Sequence, residues 1–94
     1  MTEKNKKTPG PWFVYIVQCQ DSSLYTGVCV DIQRRVQEHN HCDKKAARYT
    51  RTRRPVVLRY QENCKNRSDA CKREAAIKKL SRQQKLALII STPT

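Results

Sequence analysis

The sequence predicts an α+β domain, with a small three-stranded antiparallel sheet flanked by helices in the order β-β-α-β-α-α. Three observations support this class. Two apolar segments surround a short polar turn, which is typical of a hairpin. A helix-capping aspartate then opens a segment whose apolar residues recur every three or four positions. A third apolar segment follows, and two further helical patterns complete the chain.

The first two strands form the predicted hairpin. Residues 12–19 are apolar on both alternating faces, which indicates a central strand covered on both sides. Residues 20–23 read Gln-Asp-Ser-Ser, which is turn chemistry, and residues 24–29 return as the second strand. A third strand is expected over residues 56–60, directly after Pro55.

Capping residues place the three helices. Asp31 is a favourable N-cap, and a helix face is shared by Ile32, Arg35, Val36 and His39.

Ser68 is the expected N-cap of a second helix over residues 69–80. Ser81 and Gln84 have the spacing of a capping box, which predicts a final helix that ends at Ile90.

Length and charge define the class of protein. The 94 residues predict one domain over residues 11–90, between a flexible basic arm at residues 1–10 and a tail at residues 91–94. The chain has 20 Lys and Arg against 8 Asp and Glu, a net charge of +12. This excess favours a polyanionic partner such as nucleic acid. An apolar spanning segment and a signal core are absent from the sequence, so we expect a soluble cytoplasmic protein without a membrane partner.

Cysteine usage indicates reduced thiols. The five cysteines are an odd number without a C-x-x-C pair, unlike a disulfide framework or a zinc knuckle. His39, His41 and Cys42 are close in sequence but lack a distant partner pair, so no zinc is expected.

A basic loop precedes the third strand. Residues 44–54 contain six basic residues and no acid. Such a charge run is often only a solvated connection, but unneutralised cations beside a tyrosine also suit phosphate contacts and base stacking. We favour the second interpretation. The candidate nucleic-acid-binding residues are Lys44, Lys45, Arg48, Tyr49, Arg51, Arg53, Arg54 and Arg59.

The hairpin and the first helix also carry candidates for phosphate chemistry. Phosphodiester cleavage needs a base, positive charge for the developing oxyanions, and a metal or acid for the leaving oxygen. Tyr15 and Tyr25 lie on paired strands that end near Gly27. Glu74 is an acid within a mostly basic helix, where a helix salt bridge is the alternative explanation.

Taken in order, these segments resemble the GIY-YIG nucleases. Val14-Tyr15-Ile16 stands where that family has its first signature triplet, and Tyr25-Thr26-Gly27 stands where it has the second. DIQRRVQEHN is similar to the family's arginine helix, and SDACKREAAIKKL to its glutamate helix. Val14 and Thr26 depart from the signature at positions that do not carry the chemistry. The resemblance covers residues 12–90 and implies the small stand-alone branch of the family.

The resemblance implies a metal-dependent endonuclease that acts on DNA, in repair or processing. It assigns Tyr25 as the general base or the group that orients the water, and Tyr15 as the group that positions the nucleophile and phosphate. Arg35 would stabilise the phosphoryl oxygens, and His39 would handle protons or contact phosphate. Glu74 would hold one Mg²⁺ or Mn²⁺, bound weakly without substrate.

Gly27 would allow close backbone approach at the helix start or the substrate, and Tyr49 aligns with a further tyrosine near the site in some members.

Two other interpretations remain open. The first is a catalytically silent or partner-dependent nucleic-acid-binding module on the same fold. The second is a small structural protein on ribosomal RNA, which would explain the charge but not the paired tyrosines. Target specificity is expected to come from a protein partner. The chain is expected to be a monomer or a weak homodimer through the apolar residues of the final helix, Leu86, Ala87, Ile89 and Ile90.

Overall fold

The sheet has three strands, with the first strand of the chain at its centre and both of its neighbours antiparallel to it. This computed structural model describes residues 10–91. The expected tail beyond Ser91 and the expected arm before Gly10 lie outside the described residues. The elements are β1 (Trp12–Gln18), β2 (Leu24–Cys29), α1 (Ile32–His41), α2 (Arg48–Arg51), β3 (Val57–Cys64), α3 (Arg67–Lys78) and α4 (Arg82–Ser91).

Helices cover both faces of the sheet, as the apolar alternation of β1 predicts. Val14 and Ile16 point to one face, where they pack with Ala70 and Ile77 of α3. This face also contacts α4.

Tyr15 and Val17 point to the other face, where they pack with Ile32 and Val36 of α1. Because successive side chains of a strand alternate between faces, Tyr15 is separated by the sheet from the core beneath α3.

The hairpin register sets the geometry of the site. Tyr15 lies opposite Gly27, and Val17 lies opposite Tyr25. Both phenols therefore belong to the face covered by α1. Asp31 caps α1 as predicted, with its carboxylate accepting the N–H of Arg34 at 3.0 Å.

The C-terminal helices agree with the sequence in one cap and differ in the other. The capping box is confirmed, because the N–H of Ser81 reaches Gln84 Oε1 at 2.9 Å and Ser81 Oγ accepts the N–H of Gln84 at 3.1 Å. The predicted Ser68 cap is wrong. Asn66 caps α3 instead, accepting the N–H of Asp69 at 2.8 Å, because β3 extends to Cys64 and leaves a short turn before the helix.

Two features lie beyond the sequence prediction. β3 is longer than residues 56–60, since pairing with the whole of β1 carries its polar end to Cys64 opposite Trp12. The basic loop contains the one-turn helix α2, which the sequence pattern does not indicate.

The final helix packs Leu88 and Ile89 on the core, whereas Ile90 is 81% exposed. Within residues 10–91, none of the helices has the length and apolar character to cross a membrane.

Candidate active site

Tyr15 and His39 form the buried centre of the candidate site. Tyr15 lies in the middle of β1, and His39 lies near the end of α1. The Tyr15 hydroxyl oxygen is 2.8 Å from Nε2 of His39. Tyr15 is only 1% exposed and His39 is 0% exposed. The fold thus joins two residues that are 24 positions apart in sequence through a direct hydrogen bond.

The other imidazole nitrogen of His39 faces the basic loop. Nδ1 is 2.8 Å from Thr50 Oγ1, and the backbone nitrogen of Ala47 is 3.5 Å from the same Nδ1. The Thr50 hydroxyl donates to the Ala47 carbonyl oxygen at 3.1 Å. Thr50 is fully buried in α2. Sequence reasoning missed Thr50, because a threonine within a basic loop gives no signal of burial.

Burial keeps both members of the Tyr15–His39 pair uncharged. Desolvation lowers the pKa of His39 to about 4, and the positive charges of Arg35 and Arg54 act in the same direction. Desolvation also raises the pKa of the Tyr15 hydroxyl, although Arg35 opposes this shift. At neutral pH, His39 is therefore a neutral imidazole. Without exposed surface it cannot contact a phosphate, which was one of the two roles implied by the resemblance.

Arg35 is fixed beside Tyr15. Its Nη1 donates to Glu38 Oε1 at 2.9 Å and to the carbonyl oxygen of Lys45 at 2.7 Å. Burial alone would lower the pKa of Arg35, but hydrogen bonds to Glu38 and Tyr15 raise it above its usual value. The side chain is 25% exposed. A permanently charged guanidinium thus stands at the edge of the site with part of its surface open.

Tyr25, Tyr49 and Arg53 form a stack beside His39. The ring of Tyr25 meets the imidazole edge-on, with 5.5 Å between the ring centroids. Tyr49 stacks on Tyr25 at 5.8 Å, and the Arg53 guanidinium lies 3.9 Å from the centroid of Tyr49. Asp21 in the hairpin turn holds Arg53 by an ion pair of 3.2 Å.

This stack engages the ring of Tyr49, which contacts both the Tyr25 ring and the Arg53 guanidinium. Tyr49 is nevertheless 37% exposed. A nucleic-acid base that stacked on the face beneath the guanidinium would have to displace Arg53.

Folding also brings acids to the basic loop. Arg54 donates to Asp43 Oδ1 at 2.9 Å and to the carbonyl oxygen of His39 at 2.7 Å. Together with the Arg53–Asp21 pair, this contact shows that the loop's charge is partly offset, contrary to the sequence interpretation. The exposed basic residues of the predicted nucleic-acid surface are Lys44, Lys45, Arg48, Arg51 and Arg59.

Glu74 belongs to α3, on the other side of the sheet from Tyr15. Ala70 and Ile77 face the sheet, so residues 73 and 74 lie on the two flanks of this helix face. Arg73 pairs with Glu62 of β3 at 2.8 Å, which defines the β3 flank. Glu74 is therefore on the flank towards the edge strand β2.

The Glu74 carboxylate is partly exposed. Its side chain is 22% exposed and forms an ion pair of 3.2 Å with Lys78, one turn further along α3. The structure thus brings four of the five predicted catalytic residues into one cluster, whereas Glu74 lies on the α3 side of the sheet, on the flank towards β2.

A three-stranded sheet with two tyrosines on its hairpin and an arginine–histidine face on the next helix defines a class, that of the GIY-YIG catalytic domain. The family model for this catalytic domain matches residues 11–87 of the chain. The chain belongs to the GIY-YIG family, which is a family of nucleases.

Its relatives are UPF0213 proteins, a small single-domain group within this family. A UPF0213 protein of Desulfotalea psychrophila is 59% identical over 78 residues, which span 83% of this chain and 70% of the relative. One from Staphylococcus haemolyticus is 53% identical over 77 residues, or 82% of this chain and 92% of the relative.

Solved structures show the same fold. The solution NMR structure of a UPF0213 protein from Bacillus halodurans has a TM-score of 0.53 at 37% identity, covering 83% of this chain and 81% of that one. The solution NMR structure of an E. faecalis protein has a TM-score of 0.55 at 36% identity, covering 86% and 88%. The predicted family and fold class are confirmed.

Proposed function

We propose that this protein is a metal-dependent endonuclease that hydrolyses phosphodiester bonds in DNA. The observation that carries the proposal is one cluster of two phenols, a guanidinium and an imidazole on the α1 face of the sheet. The exposed part of this cluster adjoins a basic loop, which suits a polyanionic substrate. The cluster consists of Tyr15, Tyr25, Arg35 and His39.

Each member of the cluster receives a role from its exposure and contacts. Tyr25 is the proposed general base, or the group that orients the attacking water. Tyr15 is only 1% exposed, so its proposed role in positioning the water and the scissile phosphate acts through Tyr25 and Arg35 beside it. Arg35 is charged and held in place, so it is suited to stabilise the phosphoryl oxygens as negative charge develops. His39 is buried and acts through Tyr15.

Glu74 is the residue proposed to hold one Mg²⁺ or Mn²⁺. Its partly exposed carboxylate is a hard oxygen donor, and it lies on the flank of α3 towards β2. Among residues 10–91, clusters of three or more potential metal ligands are absent. A single carboxylate still suits Mg²⁺, because this ion keeps several waters and uses substrate phosphates to complete its shell. A bound ion would supply positive charge to the scissile phosphate and the leaving oxygen.

The surface charge and the thiols support the proposed substrate and setting. We propose that exposed Lys44, Lys45 and Arg48 contact the DNA backbone, and that target choice comes from a protein partner. All five cysteines are free thiols, which fits the proposed cytoplasmic setting. DNA repair or processing is the proposed context.

A nicking assay tests the reaction. Supercoiled, branched and single-stranded DNA would be incubated with Mn²⁺ or Mg²⁺ and the wild type, Tyr25→Phe, Arg35→Ala or Glu74→Gln. Glu62→Gln is the matched control, since Glu62 is also a carboxylate in an ion pair but lies on the β3 flank. We expect cleavage by the wild type and by the control only. Full activity in the three site variants would overturn the proposal.

One observation favours a second candidate, a nucleic-acid-binding module without turnover. The Glu74 carboxylate is engaged by Lys78. If that pair persists with DNA bound, the proposed metal ligand is not available. DNA binding by the wild type without cleavage of any substrate, at every Mn²⁺ concentration tested, would select this candidate.

A further inference from the structure

We propose that Thr50 is a positioning residue, whose hydroxyl holds the His39 imidazole in the tautomer that carries its proton on Nδ1. Nε2 of His39 then accepts the Tyr15 hydroxyl proton, and the lone pairs of the Tyr15 oxygen remain available to the neighbouring Arg35 guanidinium. The catalytic consequence rests on the proposed nuclease function. The assignment of the tautomer is independent of that function.

The proton positions follow from the burial of the Tyr15 hydroxyl. The Tyr15 hydroxyl is buried, and leaving its proton without an acceptor would cost roughly 1–3 kcal/mol. Within residues 10–91, its hydrogen bond is with His39 Nε2 at 2.8 Å, and the charged Arg35 guanidinium acts on it from nearby. A guanidinium has only donors, so His39 Nε2 has to be the acceptor.

The other nitrogen of His39 is then the protonated one, because a neutral imidazole carries a single N–H. Nδ1 needs an acceptor, and Thr50 Oγ1 lies 2.8 Å away. Thr50 can accept this proton because its own proton goes to the Ala47 carbonyl oxygen at 3.1 Å. The result is a directional series of donors from Tyr15 through His39 and Thr50 to the Ala47 carbonyl oxygen.

One contact favours the opposite tautomer. The backbone N–H of Ala47 points at His39 Nδ1, but its nitrogen is 3.5 Å from the ring. That distance is beyond the ordinary range for an N–H donor, whereas the contact of Nδ1 with Thr50 is at 2.8 Å. The hydrogen bond between Nδ1 and Thr50 therefore favours the tautomer with the proton on Nδ1.

Thr50 connects the basic loop to the Tyr15–His39 pair through its hydrogen bond with His39. Thr50 lies in α2, between Tyr49 and Arg51, and it is fully buried. A loop that contacts DNA through its exposed lysines thus also supplies the group that orients His39, and through His39 the Tyr15 hydroxyl.

The first test reads the tautomer directly in the protein without DNA. Long-range ¹H–¹⁵N correlation spectra of uniformly ¹⁵N-labelled protein at pH 7 distinguish Nδ1–H from Nε2–H, and exposed His41 is the internal reference. We expect wild-type His39 to carry its proton on Nδ1. Thr50→Ser should keep this pattern, Thr50→Val should lose it, and Thr52→Val, an exposed threonine of the same loop, should keep it. A wild-type spectrum with the proton on Nε2 overturns the proposal, whether or not Thr50→Val folds.

The second test separates positioning from folding and binding. We expect Thr50→Val to lower kcat for cleavage on the order of 10- to 100-fold, with the Kd for DNA unchanged and with rescue in Thr50→Ser. Equal kcat in Thr50→Val and wild type, together with an altered tautomer, would overturn the catalytic role. A wild type that shows the Nδ1–H tautomer but cleaves no DNA refutes the nuclease function and leaves the tautomer assignment intact.

Discussion

A Cβ atom on Gly27 would lie 2.6 Å from the hydroxyl oxygen of Tyr15 and 2.8 Å from the ring carbon that bears it. Real side chains do not approach so closely. The two residues are opposite one another in the hairpin register, and the phenol of Tyr15 lies over the bare backbone of its partner. The glycine of the second signature is therefore required by the Tyr15 ring, whereas the sequence suggested the helix start or the substrate as the reason.

Gly27→Ala should displace Tyr15. Because the new methyl group overlaps the phenol, we expect the free energy of unfolding to fall by about 1–3 kcal/mol and cleavage to be lost. Urea unfolding of the single variants and of Gly27→Ala/Tyr15→Phe measures the coupling, since phenylalanine lacks the closest atom. Strictly additive effects would contradict the contact.

His39 should make stability depend on pH. Its pKa is about 4 in the folded protein against an ordinary 6.5, so the folded state resists protonation that the unfolded state accepts. The His39 contribution is constant above pH 6.5 and is lost as the pH falls from 6.5 towards 4, by roughly 3 kcal/mol in all. Urea unfolding at pH values across this range should show a steeper loss for the wild type than for His39→Gln. Equal slopes would contradict the buried neutral imidazole.

The exposed lysines of the basic loop should govern DNA affinity. Lys44→Glu combined with Lys45→Glu removes two cations that contact phosphates in the proposal. The plot of log Kd against log salt should become shallower by about 2, at roughly 0.9 per phosphate contact. Lys65→Glu, on the turn before α3, is a single charge reversal outside the loop and should leave the slope close to that of the wild type. Unchanged binding by the double variant would remove this loop from the DNA interface.

Lys78 should compete with the metal for Glu74. Lys78→Met removes the ammonium 3.2 Å from the carboxylate and keeps the length of the side chain. We expect half-maximal cleavage at a several-fold lower Mg²⁺ concentration, since a partly exposed ion pair is worth up to about 1 kcal/mol. Arg73→Met removes the cation of the Glu62 pair and is the control. The same Mg²⁺ requirement in wild type and Lys78→Met would argue against Glu74 as the metal ligand.

Local signals in the sequence predicted the parts of the fold that depend on neighbouring residues. The alternation in residues 12–19 predicted a central strand, and the Asp31 and Ser81 caps predicted where two helices begin. The predictions for α3 and β3 were wrong in their bounds, because strand pairing across the whole of β1 decided where β3 ends.

The sequence by itself determined the family, the sheet, and the helix face that Arg35 and His39 share, since helix periodicity depends only on local geometry. Only the tertiary structure decided what surrounds them. Burial made His39 a neutral partner of Tyr15, and Thr50 came within 2.8 Å of it from a loop with no sequence signal. Burial, hydrogen-bond direction and charge pairing depend on residues that are distant along the chain, so they are fixed only when the sheet, α1 and the basic loop pack together.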